Sequence, residues 1–299
     1  MLYSTLTPSD KRKRLREGFA SGAVQRFPGA FTPLAGRLIE RHGFEGVYLS
    51  GAVMANELGL PDVGLTTLTE VATRARQVSR VTDLPVLVDA DTGFGEPMNV
   101  ARTVQELEDA GVAALHLEDQ VNPKRCGHLD GKQVVDEATA VGRIAAAARA
   151  RRDSDLVIMA RTDIRAVDGL DAAIRRCRAL VDAGADALFP EALTSLAEFE
   201  AVCAAVDVPV LANMTEFGKS ELFSVDELAG VGVALVIWPV SLLRLAMGAA
   251  DRALGDLAAS GHLRDHVPAM QTRDELYDLV DYAGYAAFDT GVWESTGRA

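Results

Sequence analysis

Cysteine is scarce in this chain of 299 residues, with only Cys126, Cys177 and Cys203. An odd, widely spaced set of three supplies neither a disulfide framework nor zinc-ligand spacing, so reduced thiols in a cytoplasmic protein are expected. Long apolar runs are missing too. No stretch reaches the ~18 uninterrupted apolar residues of a membrane span, and the charged start, Met1 to Gly18, has no apolar signal-peptide core. Positive charge is in deficit, 30 Lys and Arg against 43 Asp and Glu, which argues against a nucleic-acid binder working through a basic face. No Gly-x-Gly-x-x-Gly follows the first strand-like run, so the dinucleotide fingerprint is lacking. The glycines of Asp91-Thr92-Gly93-Phe94-Gly95-Glu96 lack the Gly-Lys-Ser ending of a phosphate loop and read as a tight turn.

What is present is ordinary material for a large core, 48% hydrophobic and 24% charged residues, enough for one α/β barrel domain spanning 1–299. The one basic run, Lys11-Arg12-Lys13-Arg14, reads as a solvated helix face. Eight short apolar runs alternate with alanine-rich amphipathic stretches: Arg26 to Phe31, Gly46 to Ser50, Val86 to Asp91, Ala114 to Asp119, Val157 to Asp163, Ala187 to Glu191, Val210 to Met214 and Leu235 to Pro239. The phrases before them repeat, Asp109-Ala110-Gly111 like Asp182-Ala183-Gly184 and Asp83-Leu84-Pro85 like Asp207-Val208-Pro209, as expected where a helix stops and a parallel strand starts. Eight such repeats predict a closed (β/α)8 barrel of the TIM type. Surplus helix follows the eighth run, with about 260–299 packing on a neighbouring subunit.

Polar residues end nearly every run, which is where a barrel keeps its chemistry. Asp89 and Asp91 stand at alternate positions and are expected to point together into the barrel mouth. Carboxylates at that spacing suit Mg2+, which takes one or two of them and fills its other positions with water and substrate oxygens. Glu118 ends the next run at the same level. Asn213 and Thr215 repeat the alternate spacing, and Arg161 has the planar fork that clamps carboxylates. His116, two before Glu118, faces the barrel interior as a packed or supporting residue, whereas His42, His262 and His266 have no second ligand and read as solvated or capping. Arg244 and Arg273 carry no functional signal from spacing alone.

The sharpest residue is Cys126. Cys177 and Cys203 lie in helical stretches as small buried hydrophobes, but Cys126 sits in Lys124-Arg125-Cys126-Gly127-His128, where three neighbours stabilise a thiolate and Gly127 lets the loop move. A thiol, an acid pair and an arginine together point to an enzyme handling an anion through a divalent metal. Local cations and the metal must then reverse the field of an acidic body.

At these residues the chain resembles the isocitrate lyase and phosphoenolpyruvate mutase superfamily over nearly its whole length. The motifs are Tyr48-Leu49-Ser50-Gly51, Leu60-Pro61-Asp62, Val88 to Gly95, the Lys124 to His128 loop, Ala160-Arg161-Thr162-Asp163, Phe189-Pro190-Glu191-Ala192, Ala212 to Phe217 and Gln271-Thr272-Arg273. Ala52 and Trp238-Pro239 depart from the usual pattern. The resemblance implies that Ser50, Gly51 and Ala52 hold the pyruvate-like end of a tricarboxylate, and that Asp62, Asp89, Asp91 and Glu118 position Mg2+, or Mn2+, directly or through water. It puts Cys126 and Gly127 on a mobile catalytic loop, and Arg161, Glu191, Asn213, Thr215, Arg244 and Arg273 around the substrate's carboxylates. It further implies a homodimer or homotetramer with a swapped C-terminal helix. The loop thiol favours carbon–carbon cleavage, with Cys126 as acid and Tyr48 as candidate base, over phosphonopyruvate chemistry or a binding-only barrel; a 2,3-dimethylmalate lyase shares the thiol and stays a rival, and isocitrate lyase proper is generally a longer chain with insertions.

Overall fold

The computed structural model describes residues 4–127 and 131–297. All eight expected strands form: β1 (Gln25–Pro28), β2 (Val47–Leu49), β3 (Val86–Asp89), β4 (Ala114–Glu118), β5 (Val157–Thr162), β6 (Ala187–Pro190), β7 (Leu211–Asn213) and β8 (Leu235–Trp238). Every pairing is parallel, β2 through β6 in one ladder and β7, β8 and β1 in another. Bridges Gly29 to Tyr48 and Leu188 to Val210 join the two ladders. The sheet therefore closes on itself with helices outside, a (β/α)8 barrel.

The repeated phrases do what their chemistry dictates. Gly111 and Gly184 take left-handed backbone, φ 87° and 105°, a conformation that favours glycine; each stops a helix and launches β4 or β6. Thr7 with Asp10 and Thr67 with Glu70 form capping boxes that start the helices Pro8–Ala20 and Leu68–Ser79, satisfying amide groups that would otherwise lack partners.

Strand alternation divides the core into two layers. Val86, Val88, Leu115, Leu117, Ile158, Ala160 and Leu188 face the helices. Leu87, Ala114, Val157, Met159, Ala187 and Phe189 fill the barrel. Leu15, on the helix Pro8–Ala20, joins the inner layer, so this helix plugs the N-terminal end of the barrel. The basic run on it is only half solvated. Lys13 and Arg14 are exposed, but Lys11 is buried and donates to the carbonyls of Ser79 and Thr82, and Arg12 donates to those of Val112 and Glu108. These cations satisfy carbonyls at loop and helix ends, a use that a charge run by itself does not reveal.

Beyond β8 the helices Ser241–Ser260 and Tyr282–Ser295 bury no residue at all. Leu245, Met247, Leu254 and Phe288 are exposed. No helix among the described residues is long and apolar enough to cross a membrane.

Candidate active site

The inner column of each strand turns from apolar to polar as it reaches the C-terminal rim. Alternation carries Leu87 to Asp89, Ala114 through His116 to Glu118, Met159 to Arg161, Phe189 to Glu191 and Leu211 to Asn213. Parallel register then sets Asp89 opposite His116, and Glu118 opposite Arg161. Of these side chains Asp89, Arg161, Glu191 and Asn213 open on a cavity of about 800 Å3. Of the expected site residues, Tyr48, Ser50, Ala52, Asp62, Asp89, Cys126, Gly127, Arg161, Glu191, Asn213, Thr215 and Arg244 line it.

Gly51, Asp91, Glu118 and Arg273 do not line that cavity. Gly51 lies just behind it, its amide donating to Asp89 Oδ2 at 3.1 Å. Asp91 reaches the acid cluster by a different route from the one its spacing suggests. β3 ends at Asp89, and Asp91 sits in a turn with φ 46°, its amide donating to Asp89 Oδ1 at 3.0 Å. The turn nevertheless brings both carboxylates to one place: a Cβ on Gly51 would lie 2.8 Å from Asp89 Oδ2 and 3.1 Å from Asp91 Oδ1. Glu118 is buried beneath. Arg273 begins the exposed helix Arg273–Leu279, outside the cavity of its own barrel.

Lys124 departs from its expected place beside the thiol. Its Nζ sits 2.5 Å from Asp62 Oδ1 and 2.7 Å from Asp91 Oδ1, with only 3% of the side chain exposed. Burial works against its charge, but Glu118, Asp91, Asp89 and Asp62 outweigh burial and hold the ammonium protonated far above its ordinary range. Burial also disfavours the charged forms of the acids. At Asp89 the nearby cations win and its carboxyl stays below the usual range, whereas at Asp91 burial and the Asp89 charge push it up. Burial raises Glu118 well above the ordinary value, and its Oε1 has no hydrogen-bond partner among the described residues.

This donor set fits a divalent cation. Asp62 and Asp91 pair directly with the Lys124 ammonium, Asp89 and Glu118 add their charge, and of the buried carboxylate oxygens Glu118 Oε1 has no hydrogen-bond partner among the described residues and Asp91 Oδ1 has only the Lys124 ion pair. Among the described residues no three side chains of ligating type close on one point, and Mg2+ takes one or two carboxylates with several waters.

Arg161 is held from three sides, by Glu118 at 3.1 Å, Asp163 at 3.0 Å and Glu191 at 3.4 Å, above the Phe189 ring. Its fork is thus aimed before any ligand arrives. Asn213 Nδ2 lies 3.4 Å from each Glu191 oxygen. Arg244 is drawn to the rim by Thr215 at 3.2 Å and Glu216 at 3.0 Å.

The Tyr48 hydroxyl is 2.8 Å from His116 Nε2. Burial pushes the imidazole down to about 4, so His116 is neutral near pH 7 and is a supporting residue of the barrel interior. Burial and then Asp89 push the Tyr48 phenol well above its ordinary range. Tyr48 therefore keeps its proton near pH 7, and the role of base expected of it is disfavoured by its surroundings.

Cys126 and Gly127 reach the cavity wall, while His128 lies outside the described residues. Burial raises Cys177 to about 12 and Cys203 to about 11, in keeping with inert thiols. Sequence reasoning missed two residues that organise this region, Asp163 and Lys132. Asp163 stands in the Arg161 motif, at the alternate position where a strand places a neighbour on the same face. Lys132, beyond the loop motif, carried no signal.

Fold and rim define an α/β-barrel enzyme acting on a small molecule, and the chain belongs to the phosphoenolpyruvate phosphomutase family, whose model matches residues 15–258. It is 61% identical over 98% of its length to a probable 2-methylisocitrate lyase 2 of Corynebacterium glutamicum, covering 95% of that protein. Among solved structures it resembles 2,3-dimethylmalate lyase, a member of the phosphoenolpyruvate mutase/isocitrate lyase superfamily, with TM-score 0.89, 34% identity and 96% of both chains covered. It also resembles a phosphonopyruvate hydrolase solved with oxalate and Mg2+, with TM-score 0.85, 28% identity, and 95% of this chain and 99% of that one covered.

Proposed function

We propose that the chain is a Mg2+-dependent carbon–carbon lyase that cleaves 2-methylisocitrate to pyruvate and succinate. The observation that carries this reading is the meeting, in one cavity, of the Asp62–Asp89–Lys124 acid cluster, the Arg161 clamp and the Cys126 loop. The similarity to curated 2-methylisocitrate lyases supports the substrate.

Asp89 and Asp91, with Asp62 and Glu118 behind them through water, would hold Mg2+ or Mn2+. When bound, the ion would supply Lewis acidity that acidifies the substrate's hydroxyl, so that its proton passes to solvent water. Ser50, Gly51 and Ala52 seat the pyruvate-like end beside it, with Tyr48 donating a hydrogen bond. Arg161, Asn213, Thr215 and Arg244 stabilise the charge that grows on the succinate-like end as the carbon bond breaks. Each well-placed donor of this kind typically contributes ~3 to 4 kcal/mol. Cys126 gives that carbanion its proton and becomes thiolate. Substrate carboxylates beneath the loop favour a protonated thiol beforehand. Phe189 and Pro239 line the same cavity and provide an apolar wall for the methyl group, a contact worth ~1 to 3 kcal/mol.

The chain is one barrel unit over 1–299, cytoplasmic, and forms a homodimer or homotetramer through its C-terminal segment. The uncovered apolar residues on the helices Ser241–Ser260 and Tyr282–Ser295 support that assembly. In it, Arg273 has a route to a neighbour's cavity. The test is release of pyruvate from 2-methylisocitrate, 2,3-dimethylmalate and phosphonopyruvate, and of glyoxylate from isocitrate, with and without metal. Preference for 2-methylisocitrate with Mg2+ is expected. Equal efficiency on isocitrate would remove the methyl wall, and no turnover of any of the four would remove the lyase.

A further inference from the structure

Lys132 takes no part in the reaction above, yet its side chain is only 1% exposed. Its Nζ donates to the carbonyl of Gly127 and, at 2.7 Å, to Asp163 Oδ1. Asp163 is itself immobilised. Its amide donates to Asp119 Oδ1 at 2.9 Å, Asp119 Oδ2 accepts from Arg176 at 2.8 Å, and the Asp163 carboxylate accepts from Arg161 Nε at 3.0 Å. One ammonium thus ties the carbonyl adjoining Cys126 to the carboxylate that aims the Arg161 clamp.

The fit on the other side of the loop is equally close. A Cβ on Gly127 would lie 2.5 Å from Glu191 Oε2 and 2.6 Å from Arg161 Nη2, so the loop backbone lies directly on the clamp. An ammonium removed from water is costly unless its donors find partners. Pulling the Gly127 carbonyl away leaves Lys132 with only Asp163 among these partners, which makes the seated position of the loop the favoured one.

We propose that Lys132 is a positioning residue whose ammonium fixes the Cys126 loop at a set depth over the Arg161–Glu191 clamp. This rests on the reading of Cys126 as proton donor, and the placement of the loop can be followed without turnover. Lys132→Met removes the donors at similar length, and Lys132→Arg keeps the charge. The measurements are kcat and KM taken separately, thermal melting, and the rate of Cys126 alkylation by iodoacetamide with and without oxalate plus Mg2+. In Lys132→Met, kcat should fall on the order of 100-fold, a loss that misplacement by about 1 Å can cause, with KM little changed. Oxalate plus Mg2+ should shield Cys126 in the wild type and not in Lys132→Met, and Lys132→Arg should regain part of both properties.

Wild-type kcat and shielding in Lys132→Met would overturn the proposal. So would a wild-type thiol that oxalate does not shield, or a parallel loss of kcat, KM and melting temperature that Lys132→Arg leaves unrestored. Should Lys132→Met not fold, the uncharged and shorter Lys132→Gln decides: lowered kcat with retained KM and melting supports positioning, and wild-type behaviour overturns it. Normal turnover by Cys126→Ser would instead sink the proton-donor reading while leaving the shielding assay valid.

Discussion

Nζ of Lys124 lies 2.7 Å from Oδ1 of Asp91, so the loop that carries Cys126 delivers a cation to the acid cluster two residues before it delivers the thiol. Removing one partner of a buried ion pair leaves the other uncompensated, at a cost of about 3 to 5 kcal/mol. Lys124→Met should therefore lower the thermal midpoint in the presence of a chelator and recover part of that loss when Mg2+ is added. Melting curves with EDTA and with Mg2+ decide the matter; equal midpoints for variant and wild type in EDTA would show that the acids do not need this cation.

Only one of the three thiols should react near pH 7. Cys177 and Cys203 are held protonated by burial, near 12 and 11, so iodoacetamide should label Cys126 alone and abolish turnover in step with labelling. Cys126→Ser should bind 2-methylisocitrate and lose most of its kcat. Peptide mapping of the alkylated protein provides the check, and activity surviving full labelling of Cys126 would end its role as acid.

Gly51 has no room for a side chain because Asp89 Oδ2 would stand 2.8 Å from its Cβ. Gly51→Ala should push that carboxylate aside and weaken Mn2+ binding by about 10-fold or more, equivalent to ~1.4 kcal/mol. Titration of Mn2+ by electron paramagnetic resonance reads this directly, and an unchanged dissociation constant would argue against Asp89 as a ligand. Full removal of metal should abolish turnover, with Mg2+ or Mn2+ restoring it.

The N-terminal segment should loosen in acid. Burial opposes charge on Asp83, but the hydroxyls of Ser4 and Thr5 and the amides of Leu6 and Thr5 donate to it and bring its carboxyl down to about 2. A carboxyl with a lowered folded-state value stabilises the protein above the unfolded value near pH 4 and loses that contribution as pH falls through the folded one. Protection factors against hydrogen exchange at Thr5 and Leu6 should therefore fall between about pH 4 and 2, and Asp83→Asn should show the lower protection already at pH 7. A flat profile in the wild type would disprove the anchor.

Much of the site could be read in one dimension because a strand has period two. Met159, Arg161 and Asp163 share a face by that rule, as do His116 and Glu118, so the column of inward residues follows from their numbering. The rule fails where the strand stops. Asp91 joins Asp89 through a left-handed turn, and the contact survives for a reason the period does not contain.

Burial was the other gap. Lys11 and Arg12 look like surface charges and are spent on carbonyls at the barrel's closed end. Lys124 looks like a partner for a thiol and is taken by four carboxylates. A side chain's charge is local information, but which opposite charge it meets depends on segments brought together from distant parts of the chain.

The eight strands, the closed barrel and the polar rim follow from residue order alone, because strand alternation and helix-stop signals are local. Which cation neutralises which acid, that Tyr48 keeps its proton, and that Lys132 meets the Gly127 carbonyl and Asp163 emerge only on folding. Those outcomes depend on burial and on distances of about 3 Å between residues far apart in sequence, where desolvation outweighs any intrinsic preference of the residue itself.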